Sequence, residues 1–281
     1  MNHPWNTRSQ KSQSLKFSSL FLLALIFCAN PAQGQSPINS DVALQPGTGV
    51  VMYRQLFKYF EAGGDPSPLG REVKTTLSSS TFAYGIHDGW TGILNIPTFF
   101  RETNVGSTGA TLHDEGVGDL TLLAKYRVFR DDTGVNDTTR LSLVGGLEIP
   151  SGDDVFSSES YDPIFGGVFT KVVGRQSFNG DMLWKFNTGG EADRLKFDTS
   201  YVYRLFPERY SGPDPTVLFG VLELNGFYET NGDLELFLSP GLVYNTQTFT
   251  IEATVQIPVV QNLDRRLEKD FVVGLGVKFR F

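Results

Sequence analysis

Apolar and polar residues alternate with a period of two through most of the chain after residue 50. Between Gly118 and Arg130, for example, apolar residues at even positions alternate with mostly polar residues at odd positions. Successive side chains of a β-strand point to opposite faces, so this period indicates strands with one apolar face. We predict about twelve such strands, separated by turn residues: Val50–Phe60, Val73–Tyr84, Trp90–Arg101, Gly118–Arg130, Thr139–Ile149, Ile164–Val173, Ser177–Asn187, Leu195–Leu205, Thr216–Tyr228, Asp233–Tyr244, Thr248–Ile257 and Asp270–Phe281.

The predicted strands are long. Each covers about 10–12 residues, as expected of strands that cross a membrane at a tilt, whereas strands of soluble proteins usually have about 5–6. Charges such as Lys125 and Asp181 occupy the middle of the polar face, which a water-filled lumen tolerates. Aromatic residues lie near the strand ends on the apolar face, as at membrane interfaces. These features favour an all-β, antiparallel transmembrane β-barrel over a soluble β-sandwich.

Such a barrel should close, because an open sheet edge in hydrocarbon leaves backbone groups unpaired. An even number of strands would place both chain ends on the periplasmic side. Three outward strands end alike, at Ile96-Pro97, Ile149-Pro150 and Ile257-Pro258. Proline cannot donate to a strand ladder, so these pairs predict strand ends near the outer rim. Pro240, in the middle of the tenth strand, suggests a bulge instead.

The first residues differ from the rest of the chain. A short apolar run, Phe17–Cys28, follows three basic residues and precedes Ala32-Gln33-Gly34, a small-x-small cleavage pattern. The run is too short to span a bilayer as a helix. Cleavage after Gly34 would also remove Cys28, the one cysteine of the chain. We therefore predict three regions: a cleaved signal peptide over 1–34, a loose periplasmic lead-in over 35–49 and the barrel over 50–281.

Composition narrows the class of protein further. The 30 glycines and 23 phenylalanines suit strands and turns. The formal net charge of −7 argues against a nucleic-acid partner, which would require a basic face.

The last predicted strand, Asp270–Phe281, places six apolar side chains on one face and ends on phenylalanine. It resembles the closing strand of bacterial outer-membrane β-barrels, which carries their assembly signal. The resemblance implies that Phe279 and Phe281 present this signal to the barrel-assembly machinery.

Several motifs occur in the order typical of one family. The chain resembles a family of bacterial outer-membrane transporters that is named after the MetA-pathway (meta-pathway) of phenol degradation. The resemblance implies a barrel for uptake of small molecules, aromatic or hydrophobic compounds among them, and carries over no catalytic residue. The motifs are Tyr84-Gly85-Ile86-His87-Asp88, Gly116-Val117-Gly118-Asp119-Leu120, Ala124-Lys125-Tyr126-Arg127, Gly146-Leu147-Glu148-Ile149-Pro150-Ser151-Gly152-Asp153, Ser239-Pro240-Gly241-Leu242, Val255-Gln256-Ile257-Pro258-Val259 and the terminal Phe281.

The inner wall is the candidate functional surface. Its mixed charges could form a constriction that orients polar solutes, or they could pair and merely fill the lumen. Because side chains alternate between the two faces of a strand, we expect the following residues to point into the lumen: Arg54, Lys58, Arg101, Asp119, Lys125, Arg127, Arg140, Glu148, Asp181, Lys185, Lys196, Asp198, Arg204, Glu223, Glu235 and Glu252.

Candidates for catalysis or metal binding are few. His87 and His113 are predicted in solvated turns and loops, apart from one another, so we expect no catalytic or metal site there. Acidic loop groups, such as Asp131-Asp132, Asp153-Asp154 and His113-Asp114-Glu115, could bind calcium or bridge lipopolysaccharide, but solubilising loop charges explain them as well. No glycine-rich loop opens a helix, so we expect no cofactor.

Three functions fit this sequence. The favoured one is an outer-membrane channel of a Gram-negative bacterium for passive uptake of small solutes, not an enzyme. A lipid-acting barrel enzyme would need a serine–histidine pair at the membrane, for which His113 is the candidate. A structural or adhesive barrel would act through loops such as Glu102–Glu115. The expected partners are outer-membrane lipid, lipopolysaccharide, the assembly machinery and a small-molecule solute.

Overall fold

The computed structural model describes residues 35–134, 137–210, 216–264 and 266–281; the predicted signal peptide lies outside this part. The described residues form β-strands, turns and irregular segments. None of them forms a helix long and apolar enough to cross a membrane. The strands are β1 (Val51–Gly63), β2 (Arg71–His87), β3 (Trp90–Val105), β4 (Ala110–Val117), β5 (Leu120–Asp132), β6 (Thr138–Ile149), β7 (Asp162–Val173), β8 (Gln176–Lys185), β9 (Arg194–Phe206), β10 (Val217–Glu229), β11 (Leu234–Asn245), β12 (Phe249–Asn262) and β13 (Glu268–Arg280).

All strands belong to one antiparallel sheet that closes on itself. Strands pair in chain order except that β4 and β5 both pair with β3, and β1 pairs with β13, which joins the first strand to the last. The β1–β13 register runs from Met52 opposite Arg280 to Gly63 opposite Glu268. Closure pairs the two edges that an open sheet would expose.

The segments β4 and β5 act as one barrel strand. β3 pairs with β5 up to Asn95 and with β4 from Thr98 onward, and Gly118-Asp119 separates the two ladders. The amide of Gly118 donates to the carbonyl of Pro97 at this break, 2.9 Å away. The wall therefore has twelve strands, and the predicted closed antiparallel barrel is confirmed.

Two predictions about strand limits are wrong. The predicted loop Glu102–Glu115 is largely a hairpin, because β3 continues to Val105 and β4 begins at Ala110. Pro97 and Pro258 lie within β3 and β12 rather than at their ends. Each lies where a ladder breaks or shifts register, so its missing amide hydrogen costs no pairing. Ile149, by contrast, does end β6 before Pro150.

The outward row of side chains is apolar and accessible. Leu143, Met182 and Leu275, in the middle of their strands, expose 54%, 58% and 57% of their surface. In a soluble protein such rows would pack against a second layer. Here the exterior of the cylinder is an apolar band.

The two ends of the barrel differ. At one end, called the terminal end, Val51 bonds to Phe281, and both chain termini of the barrel meet there. The opposite end, called the loop end, carries the longer connections, such as 150–161. Aromatic pairs lie at each end: Trp90 with Tyr126 at the terminal end and Trp184 with Phe186 at the loop end.

Candidate functional site: the lumen and the segment inside it

Residues 35–49, called the inner segment, lie inside the barrel. Side chains from β1, β5, β6, β7, β8, β10 and β12 all hydrogen-bond to it. Strands from all round a closed ring can reach one segment only if that segment is within the ring. The sequence predicts a loose periplasmic lead-in over these residues, whereas in the structure these bonds hold the segment against the inner wall.

The inner segment crosses the lumen from one wall to the other. The Asn39 side chain contacts Thr254 of β12 at 3.4 Å, and Ser142 of β6 donates to the carbonyl of Ala43 at 3.3 Å. β6 and β12 lie six strands apart in either direction around the ring of twelve, so they face each other. Five residues thus bridge opposite walls.

Glu223 of β10 is the main acceptor for the segment. Its carboxylate receives the backbone amides of Asn39 (3.0 Å) and Ser40 (2.8 Å), and also both of their side chains at 2.8 Å. Glu223 is 1% exposed. Hydrogen bonds to a charged acceptor are stronger than neutral ones, so this carboxylate is a firm anchor.

Asp41 lies at the centre of a charged group. Its backbone amide donates to Asp181 of β8 at 2.7 Å, and its carboxylate accepts from Lys125 of β5 at 2.7 Å. Lys125 is 3% exposed and also donates to the carbonyl of Val42 at 2.9 Å. The segment thus supplies the acid that Lys125 pairs with.

Other backbone groups of the segment also have partners on the wall. Arg54 of β1 donates to the carbonyl of Ile38 at 2.6 Å, and the amide of Ala43 donates to Thr170 of β7 at 2.9 Å. The amide of Val42 bonds to the side chain of Asp41. Four wall strands therefore contact backbone atoms between Ile38 and Val42, and two more do so at Ala43.

Two apolar contacts also hold the inner segment against the wall. Ile38, 1% exposed, packs into a cluster on β9, β10 and β11 at the terminal end. Ala43, fully buried, packs against Val144 and Val168 on β6 and β7. The residues around Ile38 are Val202, Val217, Phe219, Val221, Val243 and Tyr210.

The segment returns to the wall beside Gly85 of β2. The amide of Gly49 donates to the carbonyl of Gly85 at 2.8 Å, and the amide of Gly85 donates to Val50 at 3.0 Å. A Cβ at Gly85 would lie 2.1 Å from the carbonyl oxygen of Gly47. Glycine is therefore required for the segment to approach this closely.

Seven of the sixteen predicted lumen residues form ion pairs with one another, and several others pair with charges outside that set. Lys196 lies between Asp181 (2.6 Å) and Asp198 (2.5 Å), which are cross-strand neighbours. Elsewhere, Lys58 bonds to Gln256, Arg54 and Lys278 both pair with Glu252, Lys185 pairs with Glu148 and Asp162, and Lys269 and Arg266 pair with Glu235.

Several predicted lumen residues lie away from this central group. Arg127 pairs with Asp88 and Arg140 with Asp132, both at the terminal end, while Arg101 pairs with Asp114 at the loop end. The guanidinium of Arg204 stacks over the ring of Tyr210 at 3.9 Å.

A second insertion occupies the loop end. Asp119, between β4 and β5, accepts the backbone amides of Ser151 (3.0 Å), Gly152 (2.9 Å) and Ser158 (2.7 Å). These residues belong to the connection 150–161, called the mouth loop. Its Phe156 stacks on the ring of Phe99, with centroids 5.0 Å apart. The mouth loop thus folds onto the wall beside β4.

Outside the wall, an ion pair fixes the loop between β1 and β2. Arg71 donates to both carboxylate oxygens of Asp65, at 2.8 and 3.1 Å. The hydrogen bond from Arg71 holds the pKa of the Asp65 carboxyl well below its usual range. This loop therefore keeps its charge pair at acidic pH.

The histidines are dispersed. His87 ends β2 at the terminal end, and His113 lies in β4 with its Nδ1 3.7 Å from Glu102. The His113 side chain is 71% exposed. In the described ranges, no three His, Cys, Asp or Glu residues are grouped so that they could hold a metal ion.

Sequence reasoning missed the wall residues Thr170 and Ser142 and the inner segment itself. Its small polar residues, between Pro37 and Pro46, have no period that predicts burial. One signal was present in the strands. Glu223 faces Ser200 and Ser239 across its ladders, so an inward carboxylate at mid-strand required donors from elsewhere.

The fold is similar to known outer-membrane proteins. An outer-membrane channel from Pseudomonas putida F1 matches with a TM-score of 0.59 at 14% identity, covering 87% of this chain and 100% of that one. The β domain of the Bordetella autotransporter BrkA (TM-score 0.49, 8% identity, 83% and 100% covered) and the KdgM porin (0.47, 13%, 83% and 99%) also match.

These similarities concern the fold. At 14% identity the first match supports a shared architecture, namely a single closed barrel of similar extent. No protein-family model matches the chain, and no curated protein matches it. The chain is therefore similar in fold to outer-membrane barrel channels.

Proposed function

We propose that this protein is an outer-membrane channel through which small molecules enter passively. The observation that carries the proposal is the contrast between the two faces of a closed wall. Apolar side chains such as Leu143 are half exposed on the outside, while ionised groups such as Asp181 and Lys196 line the inside. A cylinder of this kind suits lipid outside and water inside.

The two ends suggest an orientation. The terminal end would face the periplasm, where the predicted signal peptide would be removed, and the loop end would face the exterior. Phe279 and Phe281 stack on each other at the terminal end, where both are exposed and available to the assembly machinery. Outer-membrane lipid would surround the apolar band, and lipopolysaccharide the loop end.

Small aromatic or hydrophobic compounds are the solute class we favour. The resemblance to the phenol-degradation family motivates this choice. The wall agrees with it in one respect, because Phe219, Val221 and Val243 form an apolar patch on the inner wall, which Ile38 covers while the inner segment is bound. A solute with an apolar body and a polar group could use both this patch and the charged part of the wall.

Conductance in planar bilayers and swelling of liposomes test the proposal. We expect the purified protein to conduct ions and to admit neutral and aromatic solutes faster than charged ones of equal size. A folded, inserted protein that stays sealed to all of them, with and without residues 36–45, would overturn the proposal.

A charge on the outer face tests whether lipid surrounds the barrel. Replacing Leu143, at mid-strand and 54% exposed, with lysine should destabilise the barrel in bilayers by about 2–4 kcal/mol. The matched variant Ile86→Lys, equally exposed but beside a turn, should cost only about 0–1 kcal/mol. Urea unfolding from vesicles measures both. Equal effects would argue against a membrane around this band.

A further inference from the structure

We infer that the inner wall is a binding site for a short peptide, and that residues 36–45 of this chain are its resident ligand. While the ligand is bound, it blocks the lumen. The blocking role rests on the proposed channel function, whereas the binding site itself does not. The site consists of wall residues Arg54, Lys125, Ser142, Thr170, Asp181 and Glu223.

The first argument is that the wall contacts peptide backbone. Glu223 and Asp181 accept the amides of three consecutive residues, Asn39 to Asp41. Arg54 and Lys125 donate to the carbonyls on either side of these amides, those of Ile38 and Val42. Acids placed on amides and bases placed on carbonyls match the polarity of a peptide chain, whatever its side chains.

The second argument concerns the side chains that are recognised. Ile38 fills an apolar cluster near the terminal end, and Ala43 fits a smaller one on β6 and β7. Between them, Asp41 pairs with Lys125. The site thus selects an aliphatic residue, then an acid three positions on, then a small residue two further on.

The third argument is that the bound segment can be exchanged. Apart from the apolar contacts of Ile38 and Ala43, most wall partners are polar or charged side chains, on a lumen that is wide enough to hold a peptide. If the segment leaves, water can take its place at Glu223, Asp181 and Lys125. Loss of a segment from an apolar core would have no such compensation. The contact is therefore that of a ligand in a site.

The segment also lies where blocking is most effective. It bridges β6 and β12, which face each other, so it divides the lumen. Its return to β1 at Gly49 keeps it attached after it leaves the site. Because the segment stays attached, it has a high effective concentration at the wall, and a free peptide has to compete with it.

A variant lacking residues 36–45 tests the block. We expect its conductance to be several-fold that of the full chain, with normal barrel folding shown by its β-sheet circular dichroism. The full-length variant Glu223→Gln should open more often, because it weakens four hydrogen bonds without shortening the chain. Its matched control is Glu235→Gln, another inward carboxylate, 2% exposed, whose partners are Lys269 and Arg266.

Direct binding tests the site without any conductance. A labelled synthetic peptide with the sequence of residues 36–45 should bind the shortened variant in detergent, as measured by fluorescence anisotropy. A scrambled peptide should not bind. Glu223→Gln in the shortened variant should weaken binding about tenfold or more, since hydrogen bonds to a charged group contribute about 1.5–3 kcal/mol. Glu235→Gln should leave binding unchanged.

The outcomes separate this inference from the channel proposal. If the full chain conducts, but the peptide does not bind and the shortened variant conducts no more, the inference is overturned and the channel stands. If the peptide binds with the expected dependence on Glu223 but neither form conducts, the site stands and the channel proposal fails. If the shortened variant does not fold, the conductance of full-length Glu223→Gln against Glu235→Gln decides the block.

Discussion

Two segments enter this barrel, the inner segment from the terminal end and the mouth loop from the loop end. Both depend on one inward carboxylate that accepts backbone amides: Glu223 for the inner segment and Asp119 for the mouth loop. Their other contacts differ. The amide of Asp153 in the mouth loop bonds to the carbonyl of Val117 in β4, which adds the loop to the sheet. The inner segment meets the wall from Asn39 to Ala43 through wall side chains.

Attachment to the chain differs as well. The mouth loop is joined to β6 at one end and to β7 at the other, so losing its contacts cannot take it far. If cleavage follows Gly34 as predicted, the inner segment is joined to the wall at one end only. The same anchoring chemistry therefore holds a fixed part of the wall in one case and a displaceable ligand in the other.

The largest effect should come from removing the mouth-loop anchor. Asp119→Ala deprives three backbone amides of their acceptor, which should cost about 2–3 kcal/mol of local stability. Hydrogen exchange of residues 150–161 should then accelerate by roughly 30–150-fold. Amides of residues 39–43 should keep their rate.

The control for this variant is Asp154→Ala, an exposed acid of the same loop. It should leave exchange unchanged. If Asp119→Ala accelerates exchange in the inner segment as strongly as in the mouth loop, the two are coupled and the comparison fails.

A smaller effect should follow from crowding the base of the inner segment. Gly85→Ala places a Cβ 2.1 Å from the carbonyl oxygen of Gly47, so the segment must shift. Overpacking of this kind costs about 1–3 kcal/mol. We expect faster exchange at residues 39–43 and a higher conductance, with no change in the mouth loop.

Gly63→Ala is the matched control, because a Cβ there meets nothing within 4 Å. It should behave like the unmodified chain. An unchanged exchange rate at residues 39–43 in Gly85→Ala would show that the segment is held independently of its base.

The barrel could be predicted from the sequence, and its contents could not. Long alternating strands and the terminal row from Phe271 to Phe281 fix the faces, because a one-residue slip would turn every side chain to the wrong side. The hairpin formed by β3 and β4 was missed because Ala110–Val117 has polar residues on both faces. Outside a membrane, a strand needs no apolar face, so alternation cannot reveal it.

The same limit applies to the lumen. Parity predicts which side chains point inward but not which of them pair with one another. Glu223 and Asp181 bind amides of a segment that precedes β1 by only about a dozen residues, and nothing in a strand pattern indicates that the chain folds back into its own barrel. Contacts of this kind depend on closure, which is a property of the whole sheet.

The smallest effect should come from the ring that covers the mouth-loop anchor. Phe156 stacks on Phe99 and lies under the guanidinium of Arg101, 4.8 Å from its centroid. Phe156→Ala should lose about 1 kcal/mol from these contacts and speed exchange in the mouth loop about fivefold, since Asp119 still holds the backbone. Val155→Ala, a neighbour that is 55% exposed, is the control and should change nothing. If Phe156→Ala instead accelerated exchange as much as Asp119→Ala, apolar packing rather than the carboxylate would hold the mouth loop. The mouth loop and the inner segment would then not share a carboxylate anchor.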